Sequence, residues 1–292
     1  MKKSNKSKII RYRFGQWTLE LIPADGARIR RLAYRRMELL TPPPRTFRPP
    51  RNYPGQYEKR PVYGYDDCFP TVDPCRYPSG NLSLPDHGEI CWLKGNCFTF
   101  ENGLKCVFVS RILPFVFERE MIFAGNCLAW IFTVVNTGRK ALPFIHVMHP
   151  LMPVSRVRKL DLPDFSKIID EQTGRTLGLK KATDVEKKLL SSPIGRADMF
   201  LLRGVQEGFF RIHFHGGANL AVSYDRKIFP TLGIWWNRSG FPAENGLARN
   251  ECAIEPIPGA WSSLKSAVET GKCFFVLPHQ AFSWRIEWRI SV

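Results

Sequence analysis

The stretch Ser283-Trp284-Arg285-Ile286-Glu287-Trp288-Arg289-Ile290 alternates large apolar and polar residues along its whole length. Successive side chains on a strand point to opposite faces, so Trp284, Ile286, Trp288 and Ile290 share one face and the charges the other. An apolar face of this kind needs a second layer to cover it. Similar segments recur toward the N-terminus: 273–278, 220–224, 209–215, 127–135, 115–123, 106–113 and Trp17–Ile22. Turn residues punctuate them, with Gly216-Gly217 between 209–215 and 220–224, Asn136-Thr137-Gly138 after 127–135, and Pro114 between 106–113 and 115–123. Helical periodicity is scarce, and 184–190 is its best candidate. Many short strands with few helices predict an all-β sandwich or barrel.

No linker divides the 292 residues, which read as one domain (1–292) with a basic N-terminal tail at 1–13. Two stretches break the strand pattern. Residues 41–64 hold Pro42-Pro43-Pro44, Pro49-Pro50 and Pro54 and are unsuited to a central strand. Residues 161–203 are polar and charged, and predict a loop with a short helix. The 21 Phe and 8 Trp favour strands, and 23 Pro with 22 Gly supply turns.

The formal net charge of +17 points to a lysine- and arginine-rich surface first and to an anionic substrate, such as a phosphorylated sugar, second. The basic stretches carry no zinc-finger spacing, RNP-type run or helix-turn-helix pattern, so nucleic acid is not an expected partner. The eight cysteines form no C-x-x-C pair, and several sit in apolar runs, which predicts buried free thiols. The N-terminus has no apolar h-region, and the longest apolar run falls far short of the ~20 residues of a membrane helix. A soluble, cytoplasmic protein with no membrane partner is expected.

Four clusters carry chemistry. Tyr65-Asp66-Asp67-Cys68-Phe69-Pro70-Thr71 and Pro85-Asp86-His87-Gly88-Glu89 place acids and a histidine beside turn residues. His146-Val147-Met148-His149-Pro150 sets two histidines on opposite faces of an extended segment, with Pro150 holding His149 extended. Cys252-Ala253-Ile254-Glu255-Pro256 puts a carboxylate in an apolar strand, where it requires a partner or a function. Trp235-Trp236-Asn237 pairs aromatic rings with an amide, a combination suited to sugar rings. His213 and His215 share a strand face but lack a third ligand, so no metal is assigned to them.

In their order along the chain, Tyr65–Thr71, Asp86-His87-Gly88-Glu89, His149-Pro150-Leu151, Trp236-Asn237 and Ile254-Glu255-Pro256 resemble the aldose 1-epimerase (galactose mutarotase-like) family. The resemblance spans roughly Trp17 to Trp288. It implies a large two-sheet antiparallel β-sandwich, the supersandwich, and an isomerase that opens and recloses the cyclic hemiacetal of a sugar. By that resemblance Glu255 is the base, His149 the acid and His87 a histidine that hydrogen-bonds the sugar. Asp67, Asp86, Glu89, Trp236 and Asn237 are the candidate substrate contacts. The implied chemistry uses neither metal nor organic cofactor, and the implied partner is a monosaccharide or its phosphate. Pro85-Asp86 before His87, with Glu89 and Trp92 after it, departs from the Gly- and Arg-containing pattern of galactose mutarotases. A carbohydrate-binding protein without turnover is the alternative of a different class.

Overall fold

The computed structural model describes residues 8–45, 56–242, 249–259 and 261–292. Among these, eight antiparallel strands form one sheet in the spatial order Val157–Asp161, Phe209–Phe214, Asn219–Tyr224, Ala281–Ser291, Cys127–Asn136, Phe115–Ala124, Gly103–Val109 and Asn96–Phe100. The alternating C-terminal stretch is therefore central, paired with Cys127–Asn136 on one side and Asn219–Tyr224 on the other. Its Trp284, Ile286, Trp288 and Ile290 are buried while Arg285 and Arg289 face solvent.

The covering layer is composite. One sheet runs Ile10–Phe14, Trp17–Ile22, Arg28–Tyr34, Tyr65–Cys68, Val147–Pro150, with Met37–Glu38 added beside Arg28–Tyr34. Another runs Arg175–Leu177, Lys167–Asp170, Arg196–Arg203, Thr231–Arg238, Asn250–Ile257. Reciprocal backbone hydrogen bonds between Met152 and Cys252, each 2.8 Å, join the two at a seam. Tyr65 stacks on Trp130 at 4.8 Å, and Phe69 meets Phe117 at 4.9 Å, so the layers interlock through aromatic rings. The result is the antiparallel β-sandwich expected from the alternation.

Two α-helices occur among the described residues, Ala182–Leu190 and Leu264–Glu269. The first contains the helix expected at 184–190 and buries Val185 and Leu189. No helix among the described residues is long and apolar enough to cross a membrane. All eight cysteines are free; Cys68, Cys91, Cys106 and Cys252 are buried and the others half-buried.

Two expectations need correction. The stretch 161–203 is not a loop with a helix: it also supplies the strands Lys167–Asp170, Arg175–Leu177 and Arg196–Arg203. Phe200, Leu201 and Leu202 are all buried because that strand is covered on both faces, which erases the alternation. The basic tail is partly strand. Residues 1–7 lie outside the described residues, but Ile10–Phe14 forms a sheet edge, with Arg11 on Glu20 at 2.6 Å. In 41–64, residues 46–55 lie outside the described residues; the others form no strand, as expected, and Tyr57–Lys59 forms a 3₁₀ turn.

Between the layers, Asp67 is fully buried and holds the Arg119 guanidinium at 2.5 Å, the Tyr65 hydroxyl at 2.6 Å and His146 Nε2 at 3.1 Å. Burial opposes the Asp67 charge, but Arg119 and His146 outweigh it and keep the carboxyl below its usual value. Asp67 is therefore an inter-layer tie and not a sugar contact. Asp67→Ala leaves Arg119 as an uncompensated buried charge and is expected to cost about 3–5 kcal/mol. Urea unfolding measures it, and a loss below about 1 kcal/mol contradicts the assignment.

Candidate active site

Strand alternation sorts the acid-rich segment Tyr65-Asp66-Asp67-Cys68 into two faces. Tyr65 and Asp67 enter the core between the layers, whereas Asp66 and Cys68 point to the other side of the covering sheet. His149 lies opposite Asp66 in the register, and Val147 opposite Cys68, so His149 joins that outer face. Across the seam, Cys252 and Ile254 enter the main core while Ala253, Glu255 and Ile257 face outward. The two outward sets meet. His149 Nδ1 and Glu255 Oε1 are 2.6 Å apart, although 106 residues separate them.

His87 arrives from a turn. It has φ +60, and Gly88 after it has φ +69. A side chain at Gly88 would place its Cβ 2.1 Å from the Phe69 carbonyl oxygen, so only glycine permits this close approach. Backbone bonds from His87 to Val72 (2.6 Å) and from Glu89 to Phe69 (2.7 Å) fix the turn. The His87 ring stacks on Tyr57 at 3.6 Å and 2°, and its centroid is 5.1 Å from that of His149. Tyr57 in turn donates to Asp66 at 2.9 Å, and Asp66 pairs with the buried Arg28 at 2.9 Å. The chain Arg28–Asp66–Tyr57 thus sets the plane in which the His87 ring lies.

His87, His149 and Glu255 converge on a pocket of about 360 Å³, within the ~300–1,000 Å³ range of small-molecule sites. Asp86 also lines it, bonded to His87 Nδ1 at 2.8 Å. Other expected contacts lie elsewhere. Trp236 packs into the main core because it alternates inward, and its neighbour Trp235 lines the pocket instead. Asn237 spends its amide on the turn below, donating to the Phe241 carbonyl (2.8 Å) and accepting from the Gly240 and Phe241 amides (3.0 and 3.1 Å). Glu89 accepts from the Ser110 hydroxyl (2.5 Å) and the Arg111 amide (2.8 Å), anchoring a loop away from the pocket. His146 sits in the core on Asp67, and His213 bonds Asp161 at 2.7 Å.

The pocket wall also holds residues without a sequence signal: Tyr57, Asp73, Glu171 and Arg249. Tyr57 follows the proline-rich run, and Glu171 directly follows the strand Lys167–Asp170, in a segment that reads as loop. Among the described lining residues there are five carboxylates, Glu58, Asp73, Asp86, Glu171 and Glu255, against one arginine. That arginine, Arg249, is already clamped by Glu58 and Glu251, each at 2.6 Å. A pocket of acidic character thus sits in a strongly basic chain.

Two titrating groups stand out. Burial lowers the His149 pKa, but the Glu255 charge and hydrogen bond overcome it, and the net shift is upward. Burial pushes the Glu171 carboxyl from 4.5 up to about 7, despite the Ser262 amide (3.1 Å) and hydroxyl (2.8 Å) that bond it. Between those two values the folded protein keeps a Glu171 proton that the unfolded chain has lost, so stability falls as pH rises through the window. Glu171→Gln is expected to flatten that part of the pH dependence. Urea unfolding of both proteins at about pH 5 and about pH 8 checks it, and identical slopes refute it.

No protein-family model and no curated protein sequence matches this chain. Solved structures do. A putative aldose 1-epimerase from Escherichia coli K12 superposes with a TM-score of 0.74 at 15% identity, covering 97% of this chain and 99% of that one. A galactose mutarotase-like protein from Clostridium acetobutylicum gives 0.70 at 15%, covering 98% and 95%. A galactose mutarotase related enzyme from Lactobacillus acidophilus gives 0.68 at 15%, covering 98% of each. These likenesses extend over nearly the whole chain at low identity, and what they establish is its architecture: the galactose mutarotase-like β-sandwich.

Proposed function

We propose that this protein interconverts the anomers of a neutral aldose by acid/base opening and closure of the sugar ring. The observation that carries the reading is the 2.6 Å contact between His149 and Glu255 at a pocket that His87 also lines. In a cyclic aldose the ring oxygen and the anomeric hydroxyl share one carbon, so adjacent acid and base groups reach both together. Glu255 accepts the anomeric hydroxyl proton while the protonated imidazole of His149 gives one to the ring oxygen. The C1–ring oxygen bond breaks and the open-chain aldehyde forms. Rotation about C1–C2 presents the other carbonyl face; as the ring closes, neutral His149 takes the proton from the attacking hydroxyl and Glu255 gives its proton to the carbonyl oxygen, which restores both groups. Glu255 promotes this by favouring the protonated state of His149. His87, held by Asp86 and Tyr57, hydrogen-bonds the sugar, and Trp235 offers it an aromatic face.

The charge of the pocket bears on the substrate. A phosphate needs free cationic donors, and the one arginine of the described lining is engaged by two carboxylates. Among the described residues the pocket thus offers a phosphate no free cation despite the net charge of +17, which favours the unphosphorylated aldose over the hexose phosphate.

The test follows the relaxation of freshly dissolved α-D-glucose and α-D-galactose by polarimetry, with NMR exchange between anomers as a second readout. Acceleration over buffer is expected, with Glu255→Gln and His149→Asn each reduced by about 10²–10⁴. Sugar binding that survives Glu255→Gln, in a protein that never accelerates exchange for any aldose, would assign a binding role without turnover.

A further inference from the structure

Three side chains from separate parts of the fold bring ligating atoms to one point. Cys68 Sγ, a ring nitrogen of His87 and a ring nitrogen of His149 all lie within 4.8 Å of one another. Each imidazole has its Nδ1 held by a carboxylate, His87 by Asp86 at 2.8 Å and His149 by Glu255 at 2.6 Å. That leaves Nε2 of each ring as the free lone pair. Histidines that bind metals carry this outer carboxylate, which fixes the tautomer and strengthens the donor. Cys68 is a free, fully buried thiol on the same face of the covering sheet as His149.

We propose that Cys68, His87 and His149 form a binding site for a borderline-soft divalent cation, with Zn²⁺ as the best match. One thiolate and two imidazoles select Zn²⁺ or Co²⁺ over the oxygen-seeking Mg²⁺ and Ca²⁺. His87 and His149 line the pocket with Cys68 buried behind them, so a fourth position would face the pocket interior, the pattern of an open zinc site. Ligand bonds of ~2.0–2.3 Å require the three donor atoms, now within 4.8 Å of one another, to draw closer, and the half-buried His87 has the most room to move. Binding replaces the Cys68 thiol proton, released to solvent, by a metal–sulfur bond, and no electrons are transferred. Because the cation takes the Nε2 lone pairs of His87 and His149, sugar and metal compete for one pocket. The site itself stands independently of the anomer-exchange reading, since its ligands and their carboxylate partners are the whole of the argument.

The full chain, stripped with EDTA, is titrated with Co²⁺ and then Zn²⁺. One equivalent of Co²⁺ is expected to give the near-ultraviolet sulfur-to-cobalt charge-transfer band, and Zn²⁺ is expected to abolish it by displacement. Cys68→Ser removes the band, whereas Cys127→Ser, far from the pocket on the eight-stranded sheet, leaves it intact. Asp86→Asn, which alters only the group behind His87, weakens Zn²⁺ binding by about 10–100-fold in competition with a chromophoric chelator. His87→Gln, at a half-exposed turn, serves if Cys68→Ser does not fold, and is expected to weaken binding by at least about tenfold. No charge-transfer band in the folded wild-type chain, or a band and affinity that survive both Cys68→Ser and His87→Gln, overturns the proposal. These readouts measure metal binding alone, so a protein without anomer exchange that still binds Zn²⁺ separates the two readings.

Discussion

The seam between Val147–Pro150 and Asn250–Ile257 is the constraint on which the site depends. Two backbone hydrogen bonds, Met152 to Cys252 and back, lock two separate sheets into one covering layer. That lock, with the packing of Val147 with Ile257 and Leu151 with Ala253, sets the distance from His149 to Glu255, since each belongs to a different sheet and pairs with different neighbours. A 2.6 Å contact between them is inherited from main-chain geometry. Side-chain rotation then sets only the fine position. This is the arrangement expected of a site on rigid strands, where a displacement of about an ångström would break the contact between His149 and Glu255.

The two sides of the covering layer handle buried charge differently. Toward the core, Asp67 meets Arg119, His146 and the Tyr65 hydroxyl, and its charge is balanced within a closed group. Toward the pocket, Asp66 meets Arg28 and Tyr57, and beyond it burial, aided by the charges of Asp73 and Glu255, lets Glu171 hold its proton up to about pH 7. Adjacent residues of one strand thus serve structure and site, separated only by the two-residue period of the backbone. The inner network resists change in either partner. The outer one leaves Glu171 and His149 with shifted proton affinity, the condition acid/base chemistry requires.

Much of the fold was legible because alternation survives wherever one face meets solvent. The central C-terminal strand, its partner 127–135, the next strand 115–123, and the short helix all follow from apolar spacing. Alternation fails where a strand is covered on both faces or sits short at an edge. Phe200-Leu201-Leu202 and Ile168-Ile169 are of these kinds, and the segment containing them reads as polar loop. Within the site, His149, Glu255, His87 and Asp86 carry chemistry that marks them in sequence. Tyr57 and Glu171 do not, since their place depends on where the chain folds back. Asp67, Glu89, Trp236 and Asn237 reverse the error. They stand beside pocket residues in sequence, and strand parity or a local turn directs each of them away from it.

Parity also explains why a pair of adjacent tryptophans yields one pocket wall and one core block. Trp235 pairs with Ala253 and Trp236 with Cys252 in the register, so the small alanine leaves room above Trp235 while Trp236 fills space between the layers. Exchanging which tryptophan faces outward would demand a one-residue slip of Thr231–Arg238. Such a slip would turn Leu232 and Ile234 out of the core and break the pairing that sets Glu255 opposite Gly233. Pocket wall, core packing and the position of the carboxylate are therefore one choice of register. The position of Glu255 is secured by hydrophobic burial on the opposite face of the same strands.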